Sequence, residues 1–337
     1  MSEGLRERLH ARLRAMRGRE VVVVGDLLAD EFIYGRVERV SREAPVLILR
    51  YDRTIVVPGG AGNAAANVAA LGGTVRLVGL AGRDEPGRRM LASLPSRVRV
   101  DAVLRPAGYA TPVKTRILAG GVHSAKQQVV RIDRIVSDRV PERLRGRIEA
   151  AAVRAARRAD AVVFSDYGSG LVTPELADAV RRSLKGRRVP LLLDSRYDTL
   201  RYRGLTACTP NESEVEQQLG VRLDDDPAAL ERAGRTLLRR TGMEAVLITR
   251  GSRGMALFEA GKPSTHIGIF GSDEIADVTG AGDTVIATMT LALAAGAGFE
   301  EAARLANYAG GLVVMKQGTA TVSQSELRAA IARDLAE

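Results

Sequence analysis

Asp277-Val278-Thr279-Gly280-Ala281-Gly282-Asp283-Thr284, running straight into Val285-Ile286-Ala287-Thr288-Met289, is the most informative segment of the chain. Glycines let the backbone turn so that successive N–H groups point at one spot, and that spot is the positive end of the helix that the apolar run predicts. An acid in the first turn, Asp283, is favourable for any helix. That alone does not explain the small residues Gly280, Ala281 and Gly282, or the second acid Asp277 before them. Together they predict an anion hole with a carboxylate beside it, placed to take a proton from a hydroxyl that attacks a phosphoryl group. Open α/β sheets hold anions in this manner, at a turn feeding a helix.

The chain around this segment has the matching rhythm. Val21-Val22-Val23-Val24-Gly25-Asp26 reads as a buried strand opening into a loop. A helix from Gly62 to Leu71, a strand from Val75 to Val78, a helix after Pro86 and a strand near Val98 to Val103 follow. The pattern resumes with a helix over Pro141 to Arg158, a strand at Ala161 to Ser165, a helix capped by Thr173-Pro174 and a strand at Leu191 to Asp194. A strand at Thr206 to Cys208, a helix from Asp226 to Arg240 and strands at Ala245 to Thr249 and Met255 to Phe258 come next. Helices begin near Gly280, Phe299 and Ser323, the last with Glu326 as a capping box. Alternation of this kind predicts an α/β fold with a central, mostly parallel sheet covered by helices. Two segments, about 32–57 and 109–133, lack a helical period and are expected to form a small second β layer, a lid over the carboxyl ends of the strands. A single domain over residues 1–337 is expected.

With 45% hydrophobic and 27% charged residues, Gly 35 and Pro 12, the composition excludes fibres and disordered tails. No window has the ~18 apolar residues of a membrane span, and the arginine-rich start is not a signal peptide, so a cytoplasmic protein with no membrane partner is expected. The lone Cys208 and the scattered His10, His123 and His266 exclude an internal disulfide and a zinc site of ordinary spacing. The net charge of +10 rests mostly on arginine, since only Lys114, Lys126, Lys185, Lys262 and Lys316 are lysines. The arginines are dispersed and no basic patch is interleaved with stacking aromatics, which argues against nucleic acid; a basic nucleic-acid-binding protein is the alternative from another class. Gly60-Ala61-Gly62-Asn63-Ala64-Ala65 satisfies a dinucleotide fingerprint, but it follows Pro58 and lies outside the first strand–helix unit. No Walker A loop is present.

Asp-x-Thr-Gly-Ala-Gly-Asp resembles the C-terminal signature of the ribokinase-like (PfkB) sugar kinases, and Pro58-Gly59-Gly60-Ala61-Gly62-Asn63-Ala64-Ala65-Ala66-Asn67 resembles its N-terminal counterpart. The likeness runs from Val21 to about Val322. It implies a ribokinase-like three-layer fold with a β-sheet lid, and transfer of the γ-phosphate of ATP to a sugar hydroxyl with Asp283 as base. It implies that Asp30, Gly59, Gly60 and Asn63 bind sugar hydroxyls, and that Asn211 and Glu214 organise Mg²⁺ through its waters. The spacing of that last pair also suits a helix capping box. By the same likeness Thr249, Gly251 and Gly254 form the nucleotide-side loop and Asn307 borders the adenine. Asp277 and Thr279 are candidate ligands of a monovalent cation such as K⁺. A homodimer paired through the lid is implied as well.

Within the family, Gly35, Arg39, Ser41, Glu43 to Val46, Gln127-Gln128, Asp133, Ser165-Asp166-Tyr167 and Tyr202-Arg203-Gly204 most resemble the kinases of D-glycero-D-manno-heptose 7-phosphate. A phosphorylated acceptor needs cations at its far end, and Lys114, Arg116 and Arg131 in the lid are the candidates. Three features depart from the pattern: a longer Ala119–Ala125 stretch, Ser169 in place of a common lysine, and Ser195-Arg196 in place of Pro-Lys. Many relatives carry a nucleotidyltransferase domain after the kinase; with the sequence ending at Glu337, the stand-alone kinase type is expected. Ribose, fructose or a hexose phosphate are the alternative acceptors.

Overall fold

The valine run forms the centre of the molecule. The computed structural model describes residues 3–120, 126–134, 140–271 and 277–334. Its elements begin with α1 (Glu3–Ala15), β1 (Glu20–Gly25), β2 (Leu27–Val40), β3 (Leu47–Gly60), α2 (Ala61–Ala70), β4 (Thr74–Leu80), α3 (Glu85–Ala92) and β5 (Val98–Leu104). They continue with β6 (Val113–Gly120), β7 (Gln127–Arg134), α4 (Glu142–Ala156), β8 (Ala161–Asp166), α5 (Pro174–Ser183), β9 (Leu191–Ser195) and β10 (Ala207–Cys208). The last are α6 (Glu212–Leu219), α7 (Pro227–Thr241), β11 (Ala245–Thr249), β12 (Met255–Glu259), β13 (Thr265–Ile267), α8 (Ala281–Ala294), α9 (Phe299–Val313) and α10 (Gln324–Arg333).

Nine strands make one sheet in the order β13-β12-β11-β10-β9-β8-β1-β4-β5. From β5 to β11 every pairing is parallel. The β11–β12 and β12–β13 pairings are antiparallel, so β12 alone runs against the rest, because a short 3-10 turn rather than an α-helical crossover joins β11 to β12. Alternation along β1 sends Val21 and Val23 into one core, with α1, α2, α8, α9 and α10, and Val22 and Val24 into the other, with α4, α5 and α7. The result is helices, sheet, helices: the three layers expected. Among the described residues no helix is long and apolar enough to cross a membrane.

Both segments that lacked a helical period are strands of a second sheet, ordered β3-β2-β6-β7. It is longer than the sequence suggested, starting at Leu27 and running back to Gly60, since β2 leaves β1 across Asp26 alone. Leu27 to Asp30 are buried, so no polar break marks the strand's start. Residues 121–125 of the unusual Ala119–Ala125 stretch lie outside the described residues. β13 and its Thr265–Ile267 were not foreseen; three residues are too few to show a period.

Candidate active site

The parallel strands all point their carboxyl ends the same way, and four of them end near an acid or amide. Asp26 follows β1, Asp166 closes β8, Asp194 lies near the end of β9, and Asn211 follows β10. The crevice they rim is divided into two cavities that share Asp166, Tyr167 and Arg196. The smaller, about 470 Å³, is bounded by Gly280–Asp283, Asn211, Glu214, Thr249, Gly251, Gly254 and Asn307. So the anion-hole turn and every residue expected on the nucleotide side meet around one space.

Asp283 stands in the first turn of α8, 3% exposed. Its Oδ2 accepts from Asn63 Nδ2 at 2.9 Å and its Oδ1 from the Tyr167 hydroxyl at 3.0 Å. Gly280 caps the helix at φ 78°, a left-handed conformation, and a Cβ there would lie 2.4 Å from Asn63 Nδ2. Glycine is therefore required twice over, by the backbone and by the amide that holds the carboxylate. Burial is the largest influence on Asp283 and pushes its carboxyl up to about 7, with help from the nearby Asp30 charge; the Asn63 and Tyr167 hydrogen bonds and Lys114 oppose it. A carboxyl poised there is matched to proton transfer near neutral pH.

The turn offers two free donors. The Ala281 N–H closes the turn onto the Val278 carbonyl at 3.2 Å, while those of Gly282 and Asp283 have no partner among the described residues. Behind the turn, Asp277 Oδ1 accepts the Thr279 N–H at 2.9 Å and Oδ2 the Gly318 N–H at 3.1 Å.

Asn211 and Glu214 do form the capping box: Glu214 N–H bonds the Asn211 side chain and Asn211 N–H the Glu214 carboxylate, each at 2.9 Å. Both also line the smaller cavity, so one geometry serves the helix and the cavity wall. Asp194, half-buried in the same wall, has a carboxylate with no hydrogen-bond partner among the described residues. Its carboxyl is raised well above the ordinary range by burial, then by Asp283 and Glu214. Thr249 ends β11; Gly251 and Gly254 frame the turn after it, and Asn307 on α9 donates to the Gly268 carbonyl at 2.8 Å.

The residues expected to hold sugar hydroxyls gather on the other side of Asp283. Asp30, Gly59, Gly60 and Asn63 pack together, so closely that a Cβ on Gly59 would come 2.4 Å from Asp30 Oδ2. None of them lines either cavity. The Asp30 carboxylate is bonded to the Arg116 guanidinium, both buried, and takes a further contact from Thr319 Oγ1 at 3.3 Å. Arg116 was expected at the far end of a sugar phosphate; register places it elsewhere. β2 and β6 run parallel with Phe32 opposite Arg116, whose guanidinium crosses the Phe32 ring at 5.3 Å to reach Asp30 two residues back on the same face. Arg131 is also engaged, its two nitrogens on the Asp133 oxygens at 2.9 and 3.0 Å. Of the three lid cations, Lys114 alone has no ion pair among the described residues.

Residues 19–326 match the pfkB family of carbohydrate kinases. The chain belongs to that family. As a PfkB carbohydrate kinase it is a phosphotransferase acting on an alcohol group of a sugar. It is 42% identical to the bifunctional protein HldE of Geobacter metallireducens, over 91% of this chain and 61% of that protein. To the protein of the same name from Caulobacter vibrioides it is 41% identical, over 94% and 64%. The chain thus spans about three fifths of the length of these curated relatives. Among solved structures it resembles phosphofructokinase-2 from Escherichia coli in complex with potassium, with a TM-score of 0.74, 18% identity and coverage of 94% and 99%. Arabidopsis thaliana ribokinase complexed with ribose and ATP gives 0.71, 21%, 93% and 99%. At such identities these two speak for the shared fold.

The PfkB signatures led to Asp283 and its turn, but four residues of the crevice had no assigned role. Asp194 and Asp26 carry a readable signal, an acid at the carboxyl end of a β-branched or leucine run. Asp26 Oδ2 accepts the N–H groups of Tyr167 and Ser169 at 2.8 and 3.3 Å, and the Ser169 hydroxyl bonds its Oδ1. Burial, with a contribution from Asp166, pushes the Asp26 carboxyl up to about 6. Ser169, where the resemblance led to a lysine being expected, thus supplies a neutral partner. Tyr167 and Arg196 stood out only within Ser165-Asp166-Tyr167 and Ser195-Arg196 and received no role, because both matter for where their tips meet residues distant in sequence.

Proposed function

We propose that the chain transfers the γ-phosphate of ATP to the anomeric hydroxyl of D-glycero-D-manno-heptose 7-phosphate. The observation that carries the kinase chemistry is the Asp283 carboxylate, buried, raised to about 7 and set beside the free N–H groups of Gly282 and Asp283. The heptose acceptor is supported by the resemblance of the small-sheet residues and by relatives near 40% identity. In the step itself the acceptor hydroxyl attacks the γ-phosphorus, its proton passes to Asp283, and the bond to the β-phosphate's bridging oxygen breaks to release ADP. The two N–H groups face charge building on the phosphoryl oxygens. Asn307, Thr249, Gly251 and Gly254 bound the nucleotide; the small sheet acts as the lid that excludes water.

A divalent ion needs only one or two carboxylates besides phosphates and water. Glu214 and the unbonded Asp194 fit that demand from the wall of the smaller cavity, although no cluster of three ligating side chains occurs among the described residues. Mg²⁺ held there supplies charge neutralisation to the phosphates. Asp277 keeps lone pairs beyond its two backbone bonds, so with Thr279 it suits a monovalent cation behind the turn.

ADP release should be strongest with the heptose 7-phosphate in a panel that includes fructose 6-phosphate, fructose, ribose and no sugar. A preference for another sugar would replace the acceptor, and no ATP-dependent turnover on any would overturn the reading. The pH profile gives a second check. Below a carboxyl pKa of about 7 the base is protonated, so kcat/KM should fall about tenfold per pH unit on the acid side and level off above it. A profile flat through neutrality would remove Asp283 from the role.

We further read the small sheet as a dimer surface. Val40, Leu47, Tyr51, Val130 and Ile132 on it are all more than 45% exposed, an apolar display unusual for a monomer. Sedimentation should report two chains, and Ile132→Glu should shift the protein toward one; a wild-type monomer at micromolar concentration would refute the pairing.

A further inference from the structure

The larger cavity, about 790 Å³, is bordered by Lys114, Arg131, Arg134, Arg145, Arg196 and Arg201. Four of these six are committed elsewhere. Arg131 is bidentate on Asp133, Arg134 pairs with Glu31 at 3.1 Å, Arg201 with Asp198 at 3.2 Å, and Arg145 Nε donates to the Val140 carbonyl at 3.0 Å. The side chains of Lys114 and Arg196 have neither an ion pair nor a hydrogen bond among the described residues. Their charged ends lie 5.3 and 5.5 Å from the centroid of one ring, that of Tyr167. The acids of the same wall are turned inward: Asp26 to Ser169 and backbone N–H groups, Asp166 to the Ser195 and Tyr202 hydroxyls at 2.8 and 3.0 Å.

The two cations repel each other; Asp30 and Asp133 act on Lys114, and Asp194 and Glu214 on Arg196, only through space, so an anion bonded to both side chains would relieve the repulsion. Burial, then the Arg196 charge, lowers the Lys114 ammonium from its ordinary value, against the opposing pull of Asp30 and Asp133. The place of the pair says which anion. The nucleotide-side residues Asn211, Thr249 and Asn307 line only the smaller cavity, whereas Lys114 lines only the larger one and Arg196 stands where the two meet. The Tyr167 hydroxyl bonds Asp283. An acceptor lying along Tyr167 thus has Asp283 near the hydroxyl of the ring and two cations without ion pairs near its centroid.

We propose that Lys114 and Arg196, set about the Tyr167 ring, are the clamp that holds the non-reacting phosphate of a phosphorylated sugar and so select it over the free sugar. The assignment rests on the sugar-kinase reading above. It replaces Arg116 and Arg131, which are engaged with Asp30 and Asp133, and it gives Arg196 a role that the sequence left open.

The test is calorimetric titration, without nucleotide, of the wild type, Lys114→Met, Arg196→Met and Arg196→Lys with D-glycero-D-manno-heptose 7-phosphate and with the dephosphorylated heptose. Melting curves confirm that each variant is folded. Wild type should favour the phosphorylated sugar, and each Met variant should lose about tenfold or more of that preference, the scale of a charge-assisted hydrogen bond. Arg196→Lys should keep most of it. An unchanged preference in both Met variants, or none in the wild type, overturns the clamp. A parallel turnover assay separates the two readings. Binding preference without ATP-dependent turnover leaves the clamp and removes the kinase reading; turnover that is indifferent to the distal phosphate does the reverse. Equal loss of kcat on both sugars with the preference intact would assign the pair to the phosphoryl group in transfer, and the clamp would fall.

Discussion

Asp283→Asn should lower turnover by about 10²- to 10⁴-fold, the ordinary contribution of a positioned general base, or roughly 3–5 kcal/mol of barrier. The exchange nearly preserves volume, and the side chain stays packed between α2 and Tyr167. What it removes is an oxygen able to take a proton. It also sets an amide N–H₂ against one of two donors, Asn63 Nδ2 or the Tyr167 hydroxyl, where Asp283 now accepts from both. ATP affinity, measured by titration on the variant, should move by no more than about threefold, because in this reading the carboxylate serves the attacking hydroxyl while Asn211, Thr249 and Asn307 bound the nucleotide. Turnover within about threefold of wild type would take the base role away from Asp283. A comparable loss in ATP affinity would mean that the substitution had disturbed the turn of Gly280 to Gly282 instead.

The second large effect falls on stability. Arg116→Met should cost about 3–5 kcal/mol in the free energy of unfolding, because it strands the buried Asp30 carboxylate without its cation. Thr319 alone offers it a remaining side-chain contact, at 3.3 Å. The double variant Asp30→Asn, Arg116→Met should recover most of the loss, since the penalty belongs to the unpaired charge and not to the missing guanidinium. Denaturant midpoints on the three proteins decide it. A single-variant loss below about 1 kcal/mol, together with a weakened grip on sugar phosphate, would return Arg116 to the ligand.

These two residues also mark how far the sequence could be read. Asp283 was legible because its chemistry is local: glycines, a helix start and the acid lie within seven positions, and the physics of the turn needs nothing else. The strand–helix alternation was legible for the same reason, and the valines of β1 even encode both cores through their alternation. Arg116 was not legible. Its partner lies 86 residues away, and only the parallel register of β2 with β6 decides that it meets Asp30 and not open solvent. Arg196 and Tyr167 were opaque on similar grounds: one is an exposed loop cation in sequence terms, the other a lone aromatic after a strand, and their placement around one ring is a tertiary fact. Asp194 lies between these cases, with a strand-end acid's signal but no partner nearby in sequence to name its role.

The parallel pairing at the heart of the small sheet bears on how the protein comes together. β2 and β3 can close as a local hairpin, and so can β6 and β7, but the middle pair must wait for the intervening α2, β4, α3 and β5. Contacts of such sequence separation carry a large loop-closure entropy and tend to consolidate late. The Asp30–Arg116 bond lies on that seam. During synthesis on the ribosome, the chain therefore has its first three central strands, β1, β4 and β5, available before β6 has emerged to close the seam. The small sheet is in this sense an arrangement that the nine-stranded sheet can wait for, and the two halves of the small sheet are the part of the molecule that meets last.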